Sequence, residues 1–123
     1  MDVFNIDEVP SFITKDGSEI RELLAYRNSC IRNQSLAEAR IPAGGSTITH
    51  RHLKTEEIYL VLEGEGEMWI DGRQRRVRPG DAIAIPPGAS HRLANAGEQT
   101  MRILCCCAPP YEDEDTRLIN QPV

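Results

Sequence analysis

The sequence lacks any long hydrophobic stretch and any surplus of positive charge. Its apolar runs, such as the five-residue segment 58–62, are far shorter than a membrane-spanning helix. The formal net charge is −5, whereas proteins that bind nucleic acids generally present a basic surface. We therefore expect neither a membrane nor a nucleic acid as a partner.

The cysteines and the first residues of the chain are compatible with the cytoplasm. Cys105, Cys106 and Cys107 are consecutive, Cys30 is remote from them, and no Cys-x-x-Cys pair occurs. Neighbouring strand residues point to opposite faces, so we expect reduced, buried thiols rather than a disulfide within the triplet. Residues 1–5 have neither the basic start nor the apolar core of a signal peptide, which makes a cytoplasmic location the default expectation.

From Ile41 onward, glycine, proline, asparagine or aspartate interrupts the chain every several residues, and the segments between them are short and rich in apolar residues. This pattern is typical of an all-β sandwich or barrel. Asp71-Gly72 favours a two-residue hairpin turn, because both central positions of a type I′ turn need positive φ. We predict strands at 35–41, 48–52, 57–62, 66–70, 73–77, 82–85, 91–94 and 100–107. Eight such strands in 123 residues suit one domain built as a double-sheet jelly roll.

The two ends of the chain are less clearly patterned than the middle. Residues 1–34 are predicted to be an N-terminal segment that packs on the barrel or on a partner subunit. Within it, 19–26 is either a strand, which we favour, or a short helix. Residues 35–108 form the predicted barrel. Residues 109–123 are expected to be an acidic tail or a short helix, since the run 112–115 is entirely acidic and acids suit a first helical turn.

All three histidines of the chain fall inside two short segments that glycines punctuate. The first segment contains Gly44, His50, His52, Glu57 and Gly64, and the second contains Gly80, Pro86, Gly88, His91 and Asn95. His50 and His52 are two residues apart, so both imidazoles project from the same face of a strand. Each histidine alone is as easily a polar residue on a solvated face, but together they predict a metal site.

Glu57 is the carboxylate that this spacing selects, although Glu56 precedes it. Six residues separate Glu57 from Gly64, and adjacent strand residues face opposite ways, so Glu56 is expected to point outward. Three imidazoles and one carboxylate suit a divalent transition metal and leave coordination positions free. The absence of cysteine from both segments distinguishes this set from a closed structural zinc site.

The two segments resemble the two motifs of the cupin family, and every fixed motif position is filled. The resemblance covers about 35–107 and implies the cupin barrel, a double-stranded β-helix of the jelly-roll type. It assigns His50, His52, Glu57 and His91 as ligands of one divalent transition metal per chain, which could be iron, manganese, nickel, copper or zinc. The remaining motif positions have structural roles: Gly44, Gly64, Gly80, Pro86, Gly88 and Asn95.

Strand alternation directs further side chains toward the barrel interior. If Glu57 faces inward, Tyr59 and Val61 do so too, and Tyr59 is either a proton relay or a core tyrosine with a satisfied hydroxyl. Leu93 follows His91 onto the same side. The predicted substrate pocket is lined by Val61, Leu93, Ile83 or Ile85, and by Cys105 or Cys107, whichever of the two faces inward.

The cupin family contains dioxygenases, decarboxylases, sugar isomerases, lyases and non-enzymatic binding proteins, so the resemblance alone selects no reaction. A metal in an otherwise apolar cavity favours oxygen chemistry on a small, oxygen-bearing organic molecule. We therefore expect a metal-dependent oxidoreductase of the dioxygenase type. The alternatives are a sugar isomerase or epimerase, which would need more inward polar groups, and a binding or sensing module without turnover.

The outward side chains of the strand that begins at Glu57 are entirely aliphatic. They are Ile58, Leu60 and Leu62, and the next predicted strand is expected to turn Trp69 the same way. An outer sheet face usually alternates to polar residues, so either the N-terminal segment or a second subunit must cover it. We predict a homodimer, because such patches commonly mark interfaces and two-fold dimers are the commonest closed oligomers.

Overall fold

The computed structural model describes residues 1–119, and almost all of its regular structure is β-strand. The strands are β1 Phe12–Ile13, β2 Glu19–Leu24, β3 Ser35–Ile41, β4 His50–His52, β5 Glu56–Glu63, β6 Gly66–Ile70, β7 Arg73–Val77, β8 Ala82–Ile85, β9 His91–Asn95, β10 Met101–Ala108 and β11 Thr116–Leu118. Within residues 1–119 the only helical turn is a 3₁₀ turn at Asp113–Asp115. No helix of this range is long and apolar enough to cross a membrane. The prediction of an all-β protein is confirmed.

The strands form two antiparallel sheets with the core between them. One sheet has six strands in the order β1-β2-β3-β10-β5-β8, and the other has five in the order β11-β4-β9-β6-β7. Backbone pairing does not close the two sheets into a continuous barrel within the described residues, but the apolar core draws side chains from both sheets. This arrangement is the predicted double-sheet jelly roll.

The interior is polar at one end and apolar at the other. Along β5 the inward side chains change from Glu57 through Tyr59 to Val61, and along β9 they change from His91 to Leu93. All five are buried. The apolar end supplies the hydrophobic stability of the fold, so the polar end must have another purpose.

The sequence pattern predicted the central strands closely. The boundaries of β3, β6, β7 and β8 agree with the prediction at both ends, and the other four predicted strands differ by at most two residues at either end. Asp71 and Gly72 between β6 and β7 have φ of 47° and 81°, as the predicted hairpin turn requires.

The two ends of the chain add strands that the sequence pattern revealed only in part. The strand favoured at 19–26 is β2 at Glu19–Leu24, and with β1 it extends the six-stranded sheet beyond β3. β1 and β11 were not predicted, because they contain only two and three residues with no alternation to read. β11 pairs with β4. Residues 120–123 of the predicted tail lie outside the described residues, and the division of the chain at 34 and 108 stays a prediction.

The outer apolar patch differs from its prediction in one respect. β6 belongs to the five-stranded sheet, so Trp69 lies on a different sheet from Ile58, Leu60 and Leu62 and does not extend their patch. The guanidinium of Arg92 covers the Trp69 ring, with its carbon 3.8 Å from the ring centroid. The N-terminal strands pair at the edge beyond β3, so they lengthen the sheet, and Ile58 remains 51% exposed.

Candidate metal site

Strand register assembles the histidines and Glu57 at the polar end of the interior. His50 on β4 is paired directly with His91 on β9. His52 lies two residues along β4 on the same inward face, opposite Thr116 of β11. The three imidazoles each place one ring nitrogen within 4.8 Å of the others, and all three side chains are buried. The structure therefore brings together the three histidines that the sequence spacing singled out.

Hydrogen bonds outside the cluster fix the ring nitrogen that each histidine turns inward. The Nδ1 atoms of His50 and His91 lie 2.7 and 3.0 Å from the carbonyl oxygens of Ile48 and Ala89. A carbonyl oxygen only accepts, so each Nδ1 carries the proton and donates it. In the neutral imidazole, Nε2 is then left with a free lone pair.

His52 reaches the same state through a hydroxyl group. The hydroxyl of Thr116 donates to the carbonyl oxygen of Glu112 at 3.1 Å, so its oxygen accepts from His52 Nδ1 at 3.0 Å. Outer partners of this kind orient metal-binding histidines and fix their tautomers. The sequence analysis missed Thr116, because nothing in its local pattern connects it to residues sixty positions away.

Three buried atoms of this cluster have no hydrogen-bond partner: His52 Nε2, His91 Nε2 and Glu57 Oε1. Glu57 Oε1 lies 3.2 Å from His52 Nε2 and 3.6 Å from His91 Nε2. Buried polar atoms nearly always have a hydrogen-bond partner in native proteins. Three unpartnered acceptor atoms that lie this close together form a site for a cation. The donor set of imidazole nitrogen and carboxylate oxygen fits a divalent transition metal.

Glu57 is held in its charged form and in a fixed orientation. Burial by itself raises the pKa of the Glu57 carboxyl, but the hydrogen bonds and charge that His52 and His91 supply when their imidazoles are protonated outweigh it and lower the pKa to about 2. The thiol of Cys107, directly opposite on β10, donates to Glu57 Oε2 at 3.2 Å. This contact leaves Oε1 directed at the histidines. Glu56 is exposed, so only Glu57 of the neighbouring pair points inward.

Asp16 lies at the edge of the cluster, in the turn between β1 and β2, and it was not predicted as a site residue. Its Oδ2 lies 3.3 Å from His50 Nε2. Burial, followed by the charge of His91, lowers the pKa of His50 to about 4 despite the opposing effect of Asp16. His50 is therefore neutral at physiological pH. No local signal identifies Asp16, because its approach depends on how the hairpin folds over the barrel mouth.

A small cavity lies beside the histidines. The space open to the centre of a water molecule in it is about 50 Å³. Tyr59, Cys105 and Cys107 line this cavity. Burial, and then the charge of Glu57, raise the pKa of Tyr59 well above 10. Burial likewise raises the pKa values of both thiols. These three groups therefore remain protonated at neutral pH. Cys106 points the other way and is half-buried.

Four apolar side chains assigned to the substrate pocket from the sequence lie elsewhere. Val61, Leu93 and Ile85 belong to the buried core and are not among the residues that line the cavity. Ile83 lines a separate groove between β6, β7 and β8. They do point inward, but Val61 and Leu93 sit one step further down their strands, toward the apolar end. Their role in substrate contact stays a prediction that the cavity lining does not support.

The remaining motif residues shape the loops around the site. Gly88 has φ of 81°, which favours glycine, and its N–H donates to the carbonyl oxygen of His52 at 2.7 Å, tying the two motifs together. Pro86 precedes it in the same turn. The Asn95 amide donates to the carbonyl oxygens of Ile41 and Gln99 at 2.9 and 2.7 Å. The other motif glycines also have positive φ: Gly44, Gly64 and Gly80.

Comparison with known proteins identifies the family. The cupin domain family matches residues 37–107, a range that contains all three histidines and Glu57. The protein is a cupin. The resemblance and the cupin fold expected from the sequence are both confirmed.

Cupins similar to this chain carry different functions. The uncharacterized protein MJ1618 of Methanocaldococcus jannaschii is 47% identical over 93% of this chain and 91% of its own length. Quercetin 2,3-dioxygenase of Bacillus subtilis is 25% identical over 61% of this chain but only 22% of that protein. The polyketide cyclase RemF of Streptomyces resistomycificus superposes with a TM-score of 0.83 at 26% identity, covering 99% of this chain and 87% of RemF. The family thus supports a metal-binding barrel without selecting one reaction.

Proposed function

We propose that this cupin is a metal-dependent enzyme that acts on a small, oxygen-bearing organic molecule. The observation that carries the proposal is the convergence of three unpartnered buried acceptors, His52 Nε2, His91 Nε2 and Glu57 Oε1, beside a cavity. His50, His52, His91 and Glu57 would hold one divalent ion. Such an ion polarises substrate oxygens and supports redox chemistry when it is iron, manganese, nickel or copper, whereas zinc acts as a Lewis acid.

The cavity favours an uncharged molecule. Among residues 1–119, the side chains that line it include Asp16, Glu22 and Glu57 but no lysine or arginine. Arg27 neutralises Glu22 across a 2.9 Å ion pair, which leaves two carboxylates against one divalent cation. A small dianion would therefore lack a cationic partner other than the metal, and burying an unpaired charge is costly.

The polar groups on the cavity wall are already engaged within the protein, which argues against a sugar. The hydroxyls of Thr14 and Ser18 bond to Asp16 Oδ1 at 2.7 and 2.6 Å. Ser35 accepts from the N–H of Tyr111, and Thr47 accepts from the N–H of Leu93. A sugar needs many free polar partners, whereas a largely apolar molecule with one or two oxygen donors needs few.

Within this class we propose oxidation by dioxygen as the reaction. The apolar walls exclude water from the reacting centre, which strengthens electrostatic control there. Tyr59 stays protonated and lines the cavity, so it can donate a proton or a hydrogen bond to a bound substrate. Glu57 remains ionised and is oriented by Cys107. The chain thus supplies a fixed ligand set and one protonated donor.

A second candidate is a redox-neutral conversion of a similar molecule, such as a cyclisation. The likeness to the polyketide cyclase RemF over 99% of this chain favours it. The small volume of the cavity counts against a large aromatic substrate for either reaction, unless the hairpin that carries Asp16 moves aside. Binding or sensing without turnover is the remaining outcome.

Oxygen uptake by metal-loaded protein tests the proposal. The metal-free protein is reconstituted separately with iron, manganese, nickel, copper and zinc, and assayed against catechols, flavonols and small diketones. We expect uptake with at least one redox-active metal, abolished in Glu57→Gln and retained in Glu56→Gln, whose side chain is exposed. Product without uptake would favour the redox-neutral candidate, and tight binding without any product would favour a sensor.

We also propose that the protein is a homodimer, formed through the outer face of the six-stranded sheet. Direct pairing aligns Leu24, Leu36, Cys106, Ile58 and Ala84 in one row across five strands. A continuous apolar row on an exposed sheet face commonly marks an interface. Light scattering at micromolar concentration should report a dimer that Ile58→Glu dissociates and Ile13→Glu, on exposed β1, does not. A wild-type monomer would refute the proposal.

A further inference from the structure

The turn between β1 and β2 carries a carboxylate to the edge of the histidine cluster. Asp16 Oδ2 lies 3.3 Å from Nε2 of His50. His50 is one of the three histidines whose ligand atoms lie within 4.8 Å of one another. None of the motif positions includes Asp16, since it precedes the first motif by almost thirty residues.

The contact between Asp16 and His50 joins two acceptors. His50 Nδ1 donates to the carbonyl oxygen of Ile48, so Nε2 of the neutral ring presents a lone pair. A carboxylate oxygen also only accepts. Two acceptors at 3.3 Å, of which His50 is buried and Asp16 is 14% exposed, repel one another unless a cation lies close to both. The metal that His50 is expected to bind is the natural candidate for that cation.

Asp16 is held in this position from several directions. Its other oxygen, Oδ1, accepts from the Thr14 hydroxyl at 2.7 Å and from the Ser18 N–H and hydroxyl at 2.9 and 2.6 Å. Its own carbonyl oxygen accepts from the N–H of Ile48 at 2.8 Å, the residue that orients His50. Three bonds to Oδ1 leave Oδ2 as the oxygen that faces the cluster.

The neighbouring residue anchors the same hairpin to the opposite end of the chain. Lys15 Nζ donates to the carbonyl oxygens of Asp113 and Thr116 at 2.9 and 3.2 Å. Thr116 is the residue whose hydroxyl orients His52. The hairpin is therefore bonded to two of the three residues that set the histidine tautomers, Ile48 and Thr116, and its carboxylate is preorganised for the site.

We infer that Asp16 is a fifth protein ligand of the metal, binding through Oδ2 alongside His50, His52, His91 and Glu57. Two carboxylates then neutralise a divalent ion, and an octahedral ion retains one open position instead of two. A substrate that bound the metal through two oxygens would displace Asp16. The free carboxylate of Asp16 would then lie next to that substrate. The inference depends on metal binding and not on which reaction the site performs.

Cobalt(II) binding tests the assignment without any activity assay. We expect Asp16→Asn to bind Co²⁺ about 10- to 100-fold more weakly than wild type by competition with a chelator, and to show a stronger visible absorption band, because loss of a ligand lowers the coordination number. Glu22→Gln, which removes another carboxylate from the same cavity, should match wild type in both measurements.

Two further variants keep the test decisive. Ser18→Ala removes the hydroxyl bond to Oδ1 but keeps the backbone N–H bond and the carboxylate, and should fall between wild type and Asp16→Asn. Asp16→Glu restores the charge with a longer side chain and should recover part of the affinity if Asp16→Asn proves unstable. Affinity and spectrum equal to wild type in Asp16→Asn, or tighter binding, would show that Asp16 is not a ligand of the metal. Absence of cobalt binding by wild type would instead refute the metal site itself.

Discussion

Two glutamates of the six-stranded sheet are both buried, but their surroundings differ completely. Glu38 on β3 is 0% exposed, on the outer face of the sheet. Its Oε1 accepts from Arg40 Nε at 2.7 Å, and its Oε2 accepts from Arg102 Nε at 2.6 Å. Arg21 lies 3.9 Å from Oε1. Glu57 on β5 is 6% exposed in the interior and has no arginine or lysine beside it.

The comparison separates a structural charge from a functional one. The protein itself neutralises Glu38, and both of its oxygens have charged partners. Glu57 has one oxygen on the thiol of Cys107, and its other oxygen has no hydrogen-bond partner although it lies beside His52 and His91. A buried charge with no partner is unfavourable for stability. The placement of Glu57 is therefore explained by a cation that the chain binds rather than contains.

Exchanging each glutamate for glutamine should give opposite results for the metal-free protein. Glu38→Gln leaves three guanidinium groups around a neutral side chain and should lower the free energy of unfolding by about 3 kcal/mol. Glu57→Gln removes an unpartnered charge and should leave the metal-free stability unchanged or raised. Urea denaturation of both variants measures this. Equal losses in the two variants would remove the distinction between them.

Acid should destabilise the metal-free protein through protonation of His50. Burial, and then the charge of His91, lower the pKa of His50 from 6.5 to about 4. Between these values the unfolded chain takes up a proton that the folded chain does not, so stability is lost as pH falls through this window.

The expected change is on the order of 2–3 kcal/mol between pH 7 and pH 4. Urea denaturation at several pH values measures it, and His50→Gln should flatten the dependence. A wild-type stability that rises on acidification, or an identical slope in the variant, would contradict the assignment.

Removing the thiol that orients Glu57 should have a smaller effect. Cys107 donates to Glu57 Oε2 at 3.2 Å, and loss of such an outer partner typically weakens metal binding about tenfold or more. Cys107→Ala should show this reduction by chelator competition, and Cys107→Ser, which keeps a donor, should restore most of the affinity. Cys106→Ala, on the outer face, is the matched control. Unchanged affinity in Cys107→Ala would show that the contact does not position Glu57.

The sequence alone could identify the site residues that lie at fixed, short distances from one another along the chain. His50, His52, Glu57 and His91 lie in motifs whose spacing reflects strand alternation and turn length, so their common location was predictable. The central strands were predictable for the same reason, since alternation and turn residues are local properties.

The missed features depend on long-range packing. Asp16 reaches the site only because β1 and β2 fold over the barrel mouth, and Thr116 reaches it only because β11 pairs with β4. β1 and β11, the short strands near the two ends of the chain, contain too few residues to show a periodic pattern. Val61 and Leu93 face inward, as predicted, but they lie beyond the residues that line the cavity, because alternation gives the direction of a side chain but not its distance along the barrel.

Metal content after reconstitution tests the central claim most directly. Metal-free wild type, Glu57→Gln and Glu38→Gln are each equilibrated with iron, manganese, nickel, copper or zinc, freed of unbound ion and measured by elemental analysis. We expect roughly one ion per chain in wild type and in Glu38→Gln. Glu57→Gln should retain far less metal. Absence of uptake by wild type with every metal, or equal retention by Glu57→Gln, would contradict it.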